Sequence, residues 1–417
     1  MTTSLSIDIR AQAEALVGAY MRAGYALVSP AILQPAEPFL DLSGEDMRRH
    51  MYFVTDSRGR EFCLRPDLTI PVARHYLASP RTGPAAGTDA GSGTSTGPAG
   101  PEGPGGARAE GFCYLGMVFR DQGEAGEAGG GGGVGKTGGE IMQAGIESFG
   151  RPDTAAADAE ALALGLAATA HFDLADPEIA TGDVALFAAL IDALDLPPAW
   201  RRRLNKDYRK GTLAGDLESL TLATHDGRDE YRGVLGALAD ANPKAAHALV
   251  TDLLSIAGIR AVGGRSIGEI ADRFVEQAGL RTSNGLPPVT RSLIRRFLAI
   301  KGAPEEAAAA LRRLESEAAI KLGPALDLFE SRNACLAERG IDLRRIRFAT
   351  SFGRGVDYYT GFVFELRDPA RRAAGQLVAG GRYDTLMSQL GSSVPVPAVG
   401  FAAWIERLAA LRAERAA

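Results

Sequence analysis

Cysteine is scarce in this chain of 417 residues, and the three present, Cys63, Cys113 and Cys335, are isolated and odd in number. No disulfide framework or thiolate metal site can be built on that spacing, which suits a reduced cytosolic protein with small buried thiols. The five histidines are scattered without ligand spacing, so no metal is expected. Long apolar runs are missing as well, and no stretch approaches the roughly 18 residues of a membrane span. Met1–Tyr20 carries Asp8, Arg10 and Glu14 within its apolar pattern, which excludes a signal-peptide core. A basic excess is also lacking. The formal net charge is -5, whereas a dedicated nucleic-acid binder usually carries positive charge for phosphate contacts. These absences together predict a cytoplasmic chain with no membrane association and no nucleic-acid partner.

What is present supports a sizeable core: 46% of residues are hydrophobic and 23% charged, enough for two domains. Two tracts stand apart. Ser79–Gly111 is rich in Gly, Pro, Ala, Thr and Ser, and Asp121–Gly139 has ten glycines in nineteen residues. Neither buries enough apolar surface to offset chain entropy, so flexible loops are expected over 79–111 and 121–139. Ile7–Gly24 reads as an amphipathic helix and Tyr25–Pro38 as extended. Strand-like runs follow at Met51–Thr55, Glu61–Arg65, Phe112–Arg120 and Glu140–Phe149, the last two joined as a hairpin by the second glycine tract. From Thr154 to Gly340 the chain turns alanine-rich and mostly helical, with helices expected at 155–172, 183–194, 244–257, 267–278, 289–301 and 305–318. Strand character returns at Ile346–Phe352, Tyr358–Arg367 and Gln376–Ala379, and a helix from about Phe401 closes the chain. This order predicts an antiparallel sheet domain interrupted by a helical insertion.

Five segments carry candidate chemistry. In Leu64-Arg65-Pro66-Asp67-Leu68-Thr69, an extended backbone would project Asp67 and Thr69 to one face, a carboxylate and a hydroxyl suited to an ammonium group. Gln143 and Glu147 lie four residues apart on the returning hairpin strand and therefore share a face, with Arg120 ending the opposite strand. Such a set can grip a zwitterion, or form a cross-strand ion pair on a solvated sheet face. The remaining three are Gly353-Arg354-Gly355-Val356-Asp357-Tyr358-Tyr359-Thr360-Gly361, Ala379-Gly380-Gly381-Arg382-Tyr383-Asp384 and Gly400-Phe401-Ala402-Ala403-Trp404-Ile405-Glu406-Arg407-Leu408. Glycines in these runs allow close approach of backbone to a ligand.

Taken in order, the five segments resemble the histidyl-tRNA synthetase family, over roughly 7–150 and 341–408. The resemblance implies an α+β fold, a class II aminoacyl-tRNA synthetase-like antiparallel sheet core with a helical insertion. On that reading 1–195 and 322–417 form the two parts of the core, and 196–321 the insertion. It further implies a histidine pocket. Asp67 and Thr69 would meet the amino group and Arg120 the carboxylate, with Gln143 helping to hold the backbone end of the ligand. Glu147 and Tyr359 would line the side-chain end, with Tyr358 as its wall. Arg354 matches the arginine serving adenylate formation, and Arg407 the arginine that contacts ATP.

The chain departs from a synthetase at three places. Only nine residues follow Leu408, where a synthetase continues into an anticodon-reading domain. The 121–139 loop offers Lys136 as its only base and no aromatic platform for stacking. Trp404 stands where a small residue is usual, close to the nucleotide side, so Trp404 and Arg407 read as a vestigial nucleotide side. These departures resemble a synthetase-like sub-family, the regulatory subunits of ATP phosphoribosyltransferase. That resemblance implies a non-catalytic chain paired with a short-form ATP phosphoribosyltransferase catalytic subunit. It implies a homodimer, from the Tyr25–Pro38 region, within a hetero-oligomer. It also implies L-histidine as effector ligand with no cofactor. An atypical histidyl-tRNA synthetase, and a tRNA-independent ligase on the same core, remain open at this point. The run from Gly130 to Thr137 matches a phosphate-loop pattern formally, but no apolar strand precedes it and no helix follows. Arg201–Arg203 with Lys206, Arg209 and Lys210 reads as a solvated helix face.

Overall fold

The structure, a computed structural model, describes residues 2–42, 48, 50–79, 107–121, 139–217, 248, 251–252, 286–353, 358–372 and 375–415. Most of both glycine tracts, Arg354, and almost all of the helices expected at 244–257 and 267–278 lie outside the described residues.

The strands are β1 (Ala26–Leu27), β2 (Leu33–Pro35), β3 (Phe53–Thr55), β4 (Glu61–Leu64), β5 (Glu110–Phe119) and β6 (Glu140–Phe149). They continue as β7 (Glu178–Asp183), β8 (Lys301–Gly302), β9 (Ile346–Ala349), β10 (Phe362–Arg367), β11 (Val378–Arg382) and β12 (Ala398–Trp404). One sheet runs in the order β1-β5-β6-β12-β11-β10-β7-β9-β8, and a small one in the order β2-β4-β3. The hairpin of β5 and β6 pairs from Glu110 opposite Phe149 to Phe119 opposite Glu140. Because side chains alternate across a strand, the large sheet has two distinct apolar faces. One face carries Cys113, Ile146, Phe364 and Phe401 and packs against residues of the helices Thr2–Arg22, Thr154–His171 and Ile405–Arg415. The other face carries Tyr114, Val363 and Tyr383, and its cluster runs on into Leu186 and Phe187 of the helix Val184–Ala193 and into Leu204 and Phe297 within 196–321.

Local chemistry accounts for several boundaries. Asp183 accepts from the backbone N of Ala185 at 2.9 Å and so caps the helix Val184–Ala193. Pro198, Pro288 and Pro304 each open a helix, where a missing N–H costs nothing. Phe187 of the helix Val184–Ala193 stacks on Tyr208, which lies in 196–321, with centroids 4.0 Å apart, and the Tyr208 hydroxyl donates to Thr350 O at 2.6 Å. That bond ties the helix Pro198–Arg209 to the end of β9.

The structure corrects several expectations. The large sheet is not wholly antiparallel: β1–β5 and β7–β9 pair in parallel. β7 lies inside the stretch expected to be helical, and β8, within 196–321, extends the sheet edge. Glu110 and Gly111 belong to β5 rather than to a loop, and Tyr358 precedes its strand instead of opening it. The segment from Phe401 is strand up to Trp404, and the helix starts at Ile405. β12 lies between β6 and β11 with both faces covered, so its apolar residues do not alternate with polar ones and it mimics a buried helix. Among the described residues no helix is long and apolar enough to cross a membrane, and no group of His, Cys, Asp or Glu could hold a metal ion.

Candidate ligand pocket

Residues opposite one another in neighbouring strands point to the same face, so the registers assemble a surface that no single segment defines. Glu147 lies opposite Gly400, Gly145 opposite both Tyr114 and Ala402, and Gln143 opposite both Gly116 and Trp404. Gly400 in turn lies opposite Gly381. The middle of this face is thus free of side-chain bulk, with Glu147, Gln143, Tyr114 and Trp404 standing around it. A Cβ on Gly400 would collide with the Glu147 carboxylate, and one on Gly145 with Tyr114 Oη and Phe401 O. Those two glycines are what permit the carboxylate and the phenol to lie on the sheet.

Glu147 is fully buried. Thr69 Oγ1 donates to its Oε1 at 2.7 Å, Tyr383 Oη donates to its Oε2, and Tyr114 Oη lies 3.4 Å from Oε1. Among the described residues no ion pair to Glu147 is present. Burial pushes its pKa up to about 8, against the hydrogen bonds from Tyr383 and Thr69, while the charge of Asp67 adds to the rise. A buried carboxyl with hydroxyl partners and no cation is built to meet a positive or hydrogen-bonding group from outside the chain.

The Asp67–Thr69 pair is not extended as expected. Thr69 begins the helix Thr69–Ala78, and Asp67 Oδ1 accepts from Ile70 N at 3.1 Å, satisfying a first-turn N–H. The two side chains still converge on the pocket: Thr69 touches Glu147, and Asp67 is buried close enough to perturb it. Burial raises the pKa of Asp67, and the charge of Arg120 works in the opposite direction. Arg120 follows β5 directly, and its Nε donates to Pro66 O at 2.8 Å, clamping the hairpin to the segment before Asp67.

Gln143 is 1% exposed, and its Oε1 has no hydrogen-bond partner. Such an orphaned acceptor, on the same face as Glu147, points to a ligand N–H. Tyr359 is buried with its ring edge over Gly381, and Tyr358 packs between Tyr359, 5.1 Å away, and Tyr383, 5.8 Å away, by ring centroids. Beyond Gln143, Trp404 is 4% exposed, and the Arg407 guanidinium sits 5.5 Å over its ring. Burial lowers the pKa of Arg407, and the charge of Arg120 adds to that, so two guanidiniums face this end.

Asp67, Thr69, Arg120, Gln143, Glu147, Tyr358 and Tyr359 therefore occupy one region, with Trp404 and Arg407 at its far end. Sequence reasoning missed Tyr114 and Tyr383. Tyr114 shares its strand parity with Arg120, and Tyr383 lies inside a segment that had been read for its glycines. Either signal was available.

The chain matches the profile of the family described as Histidyl-tRNA synthetase over residues 6–88, 105–266 and 248–408. Proteins of Brucella canis, Brucella suis and Brucella ovis, each named ATP phosphoribosyltransferase regulatory subunit, are 36% identical over 398 residues, covering 93% of this chain and 94% of theirs. Among solved structures, an ATP phosphoribosyltransferase regulatory subunit/histidyl-tRNA synthetase from Bacillus halodurans matches with TM-score 0.60 and 21% identity, over 98% of this chain and 79% of that one. A histidine–tRNA ligase subunit from Alicyclobacillus acidocaldarius matches with TM-score 0.54 and 23% identity, over 99% of this chain and 94% of that one. The structural likenesses establish the class II synthetase-like fold, and the sequence likeness narrows it further. The chain belongs to the ATP phosphoribosyltransferase regulatory subunit family, on a histidyl-tRNA synthetase-like core.

Proposed function

We propose that this chain binds free L-histidine in the Glu147 pocket and is a non-catalytic subunit coupling that occupancy to a short-form ATP phosphoribosyltransferase catalytic subunit. In this role it serves the first step of histidine biosynthesis and mediates its feedback. The observation that carries the reading is the buried Glu147 carboxyl, ringed by Thr69, Tyr114 and Tyr383, with the unpartnered Gln143 Oε1 beside it. An imidazole meets Glu147, Asp67 stands for the ammonium, and Arg120 stands for the carboxylate. Arg354 joins this set by resemblance alone. Coupling requires histidine to favour one state of the complex over another, and a bound effector with no such difference shifts nothing.

The chain acts as a homodimer within the hetero-oligomer. Leu27, Ile32, Leu33, Phe53 and Val54, exposed between 42% and 54%, supply an apolar surface for that contact. No cofactor and no nucleic acid enter this scheme. Cytoplasmic placement suits the free thiols of Cys63, Cys113 and Cys335.

Titration calorimetry with L-histidine tests the pocket, with Glu147→Ala as the variant expected to weaken binding. Unchanged affinity in that variant refutes the placement. Copurification with a short-form catalytic subunit, and activation of it, tests the partner. Histidine-dependent ATP–pyrophosphate exchange by the pure chain would overturn the non-catalytic reading.

A further inference from the structure

Behind the pocket lies a cluster of buried charges that ligand contact does not explain. Asp158, Asp183, Arg332 and Arg382 are each at most 3% exposed, a balanced set of two acids and two bases. Arg382 donates from Nε to Asp158 Oδ1 at 2.8 Å and from Nη1 to Asp384 Oδ1 at 2.8 Å. Arg332 donates from Nη1 to the other Asp158 oxygen at 3.1 Å, and from Nη2 to Asp183 Oδ2. Its guanidinium also lies 4.5 Å from the centroid of Phe362. Fixing four buried charges costs desolvation that apolar packing would avoid, so stability alone is a weak reason for the cluster.

Its position supplies a stronger one. Tyr383, the residue between Arg382 and Asp384, reaches Glu147 with its hydroxyl. Each neighbour of Tyr383 is anchored twice. The Arg382 carbonyl accepts from Thr360 N at 2.8 Å, and Asp384 Oδ1 accepts from Ala398 N at 2.8 Å. Asp384 N in turn donates to Thr360 Oγ1 at 3.0 Å, so the loop carrying Tyr358 and Tyr359 is tied to the same frame. We propose that Arg382, held by Asp158 and Asp384, is the positioning residue that sets the Tyr383 hydroxyl on Glu147. Through Asp158 and Arg332 the same frame extends to Asp183, the cap of the helix Val184–Ala193. The inference concerns Glu147 whatever ligand it meets, but its consequence for histidine affinity rests on the function proposed above.

The test reads the protonation of Glu147 directly in the ligand-free protein. The infrared carbonyl stretch of the protonated carboxyl, identified by its loss in Glu147→Gln, is titrated in wild type, Tyr383→Phe, Arg382→Lys and Asp384→Ala. Arg382→Lys keeps the charge, and Asp384, with a side chain 42% exposed, tolerates truncation. Tyr383→Phe removes a hydrogen bond to the ionised form, so the Glu147 midpoint rises by about one unit, tenfold in the protonated-to-ionised ratio. Arg382→Lys and Asp384→Ala raise it in the same direction, and neither adds to Tyr383→Phe in the double variant. Simple loss of the Asp384 charge would lower the midpoint, the opposite sign. An unshifted midpoint, a downward shift in Asp384→Ala, or additive double variants overturn the proposal. Parallel calorimetry with L-histidine separates the two claims. Failure of wild type to bind histidine, with the midpoint shifts present in the variants, refutes the ligand assignment and leaves Arg382 in its role.

Discussion

The hydroxyl of Thr69, the first residue of a helix, donates to Glu147 in the middle of the large sheet at 2.7 Å across 78 residues of chain. The small sheet and its helix are thereby joined to the β5–β6 hairpin through the group that defines the pocket. The contact stabilises the ionised form of Glu147, which burial opposes, so Thr69 helps to set the charge state the ligand meets.

Thr69→Val removes that hydrogen bond at nearly constant volume. The loss of about 0.5–1.5 kcal/mol is expected to weaken histidine roughly threefold to tenfold and to move the pH dependence of binding upward. Calorimetry at several pH values measures both. An affinity equal to that of wild type at every pH would remove Thr69 from the pocket.

The sharing of a face by Gln143 and Glu147 was legible because a strand repeats every two residues, and the β5–β6 register bears it out. The same rule failed at Asp67 and Thr69, since it presumes an extended backbone where Asp67 instead satisfies the first turn of a helix. β12 was misread because a strand covered on both faces loses its alternation, and β7 because it is six residues set between alanine-rich helices. Arg332 and Asp158 meet across 174 residues of chain. Neither periodicity nor spacing encodes a pairing of that kind, which exists only once the helices are packed.

Gln143→Met separates stability from binding. The buried Oε1 lacks a partner in the ligand-free chain, and an apolar side chain of similar length relieves that penalty, on the order of 1–3 kcal/mol. The variant is therefore expected to melt at or above the wild-type temperature while histidine affinity falls about tenfold. Calorimetric melting and binding on the same preparations check this. A clear loss of stability would mean that the amide is structurally paired.

Arg332→Met leaves Asp183 buried without its cation and Asp158 with only Arg382. Breaking one partner of such a set costs about 3–5 kcal/mol, read as a lower denaturation midpoint with an unchanged slope. Adding Asp183→Asn recovers part of the loss, because Asn remains a helix cap for Ala185 without a stranded charge. A loss below about 1 kcal/mol for the single variant would show that water or relaxation solvates the acids.

Glu147 itself makes stability depend on pH. Its carboxyl has an ordinary value of 4.5 and is pushed to about 8 by burial, so between those values the folded chain keeps a proton that the unfolded chain has released. The unfolded state then binds fewer protons, and stability falls as pH rises. The contribution is complete below about 4.5 and lost once pH passes about 8. Glu147→Gln removes this slope, being neutral in both states. Urea unfolding at mildly acidic, neutral and mildly alkaline pH should show the variant gaining on wild type as pH rises, by on the order of a few kcal/mol across the window. The amide is a weaker acceptor for the hydroxyls that Thr69 and Tyr383 donate, which offsets the gain without supplying a titrating group. A stability difference between the two proteins that is flat with pH would mean that Glu147 is already ionised in the folded chain, and the pocket would then be a fixed anion rather than a titrating one.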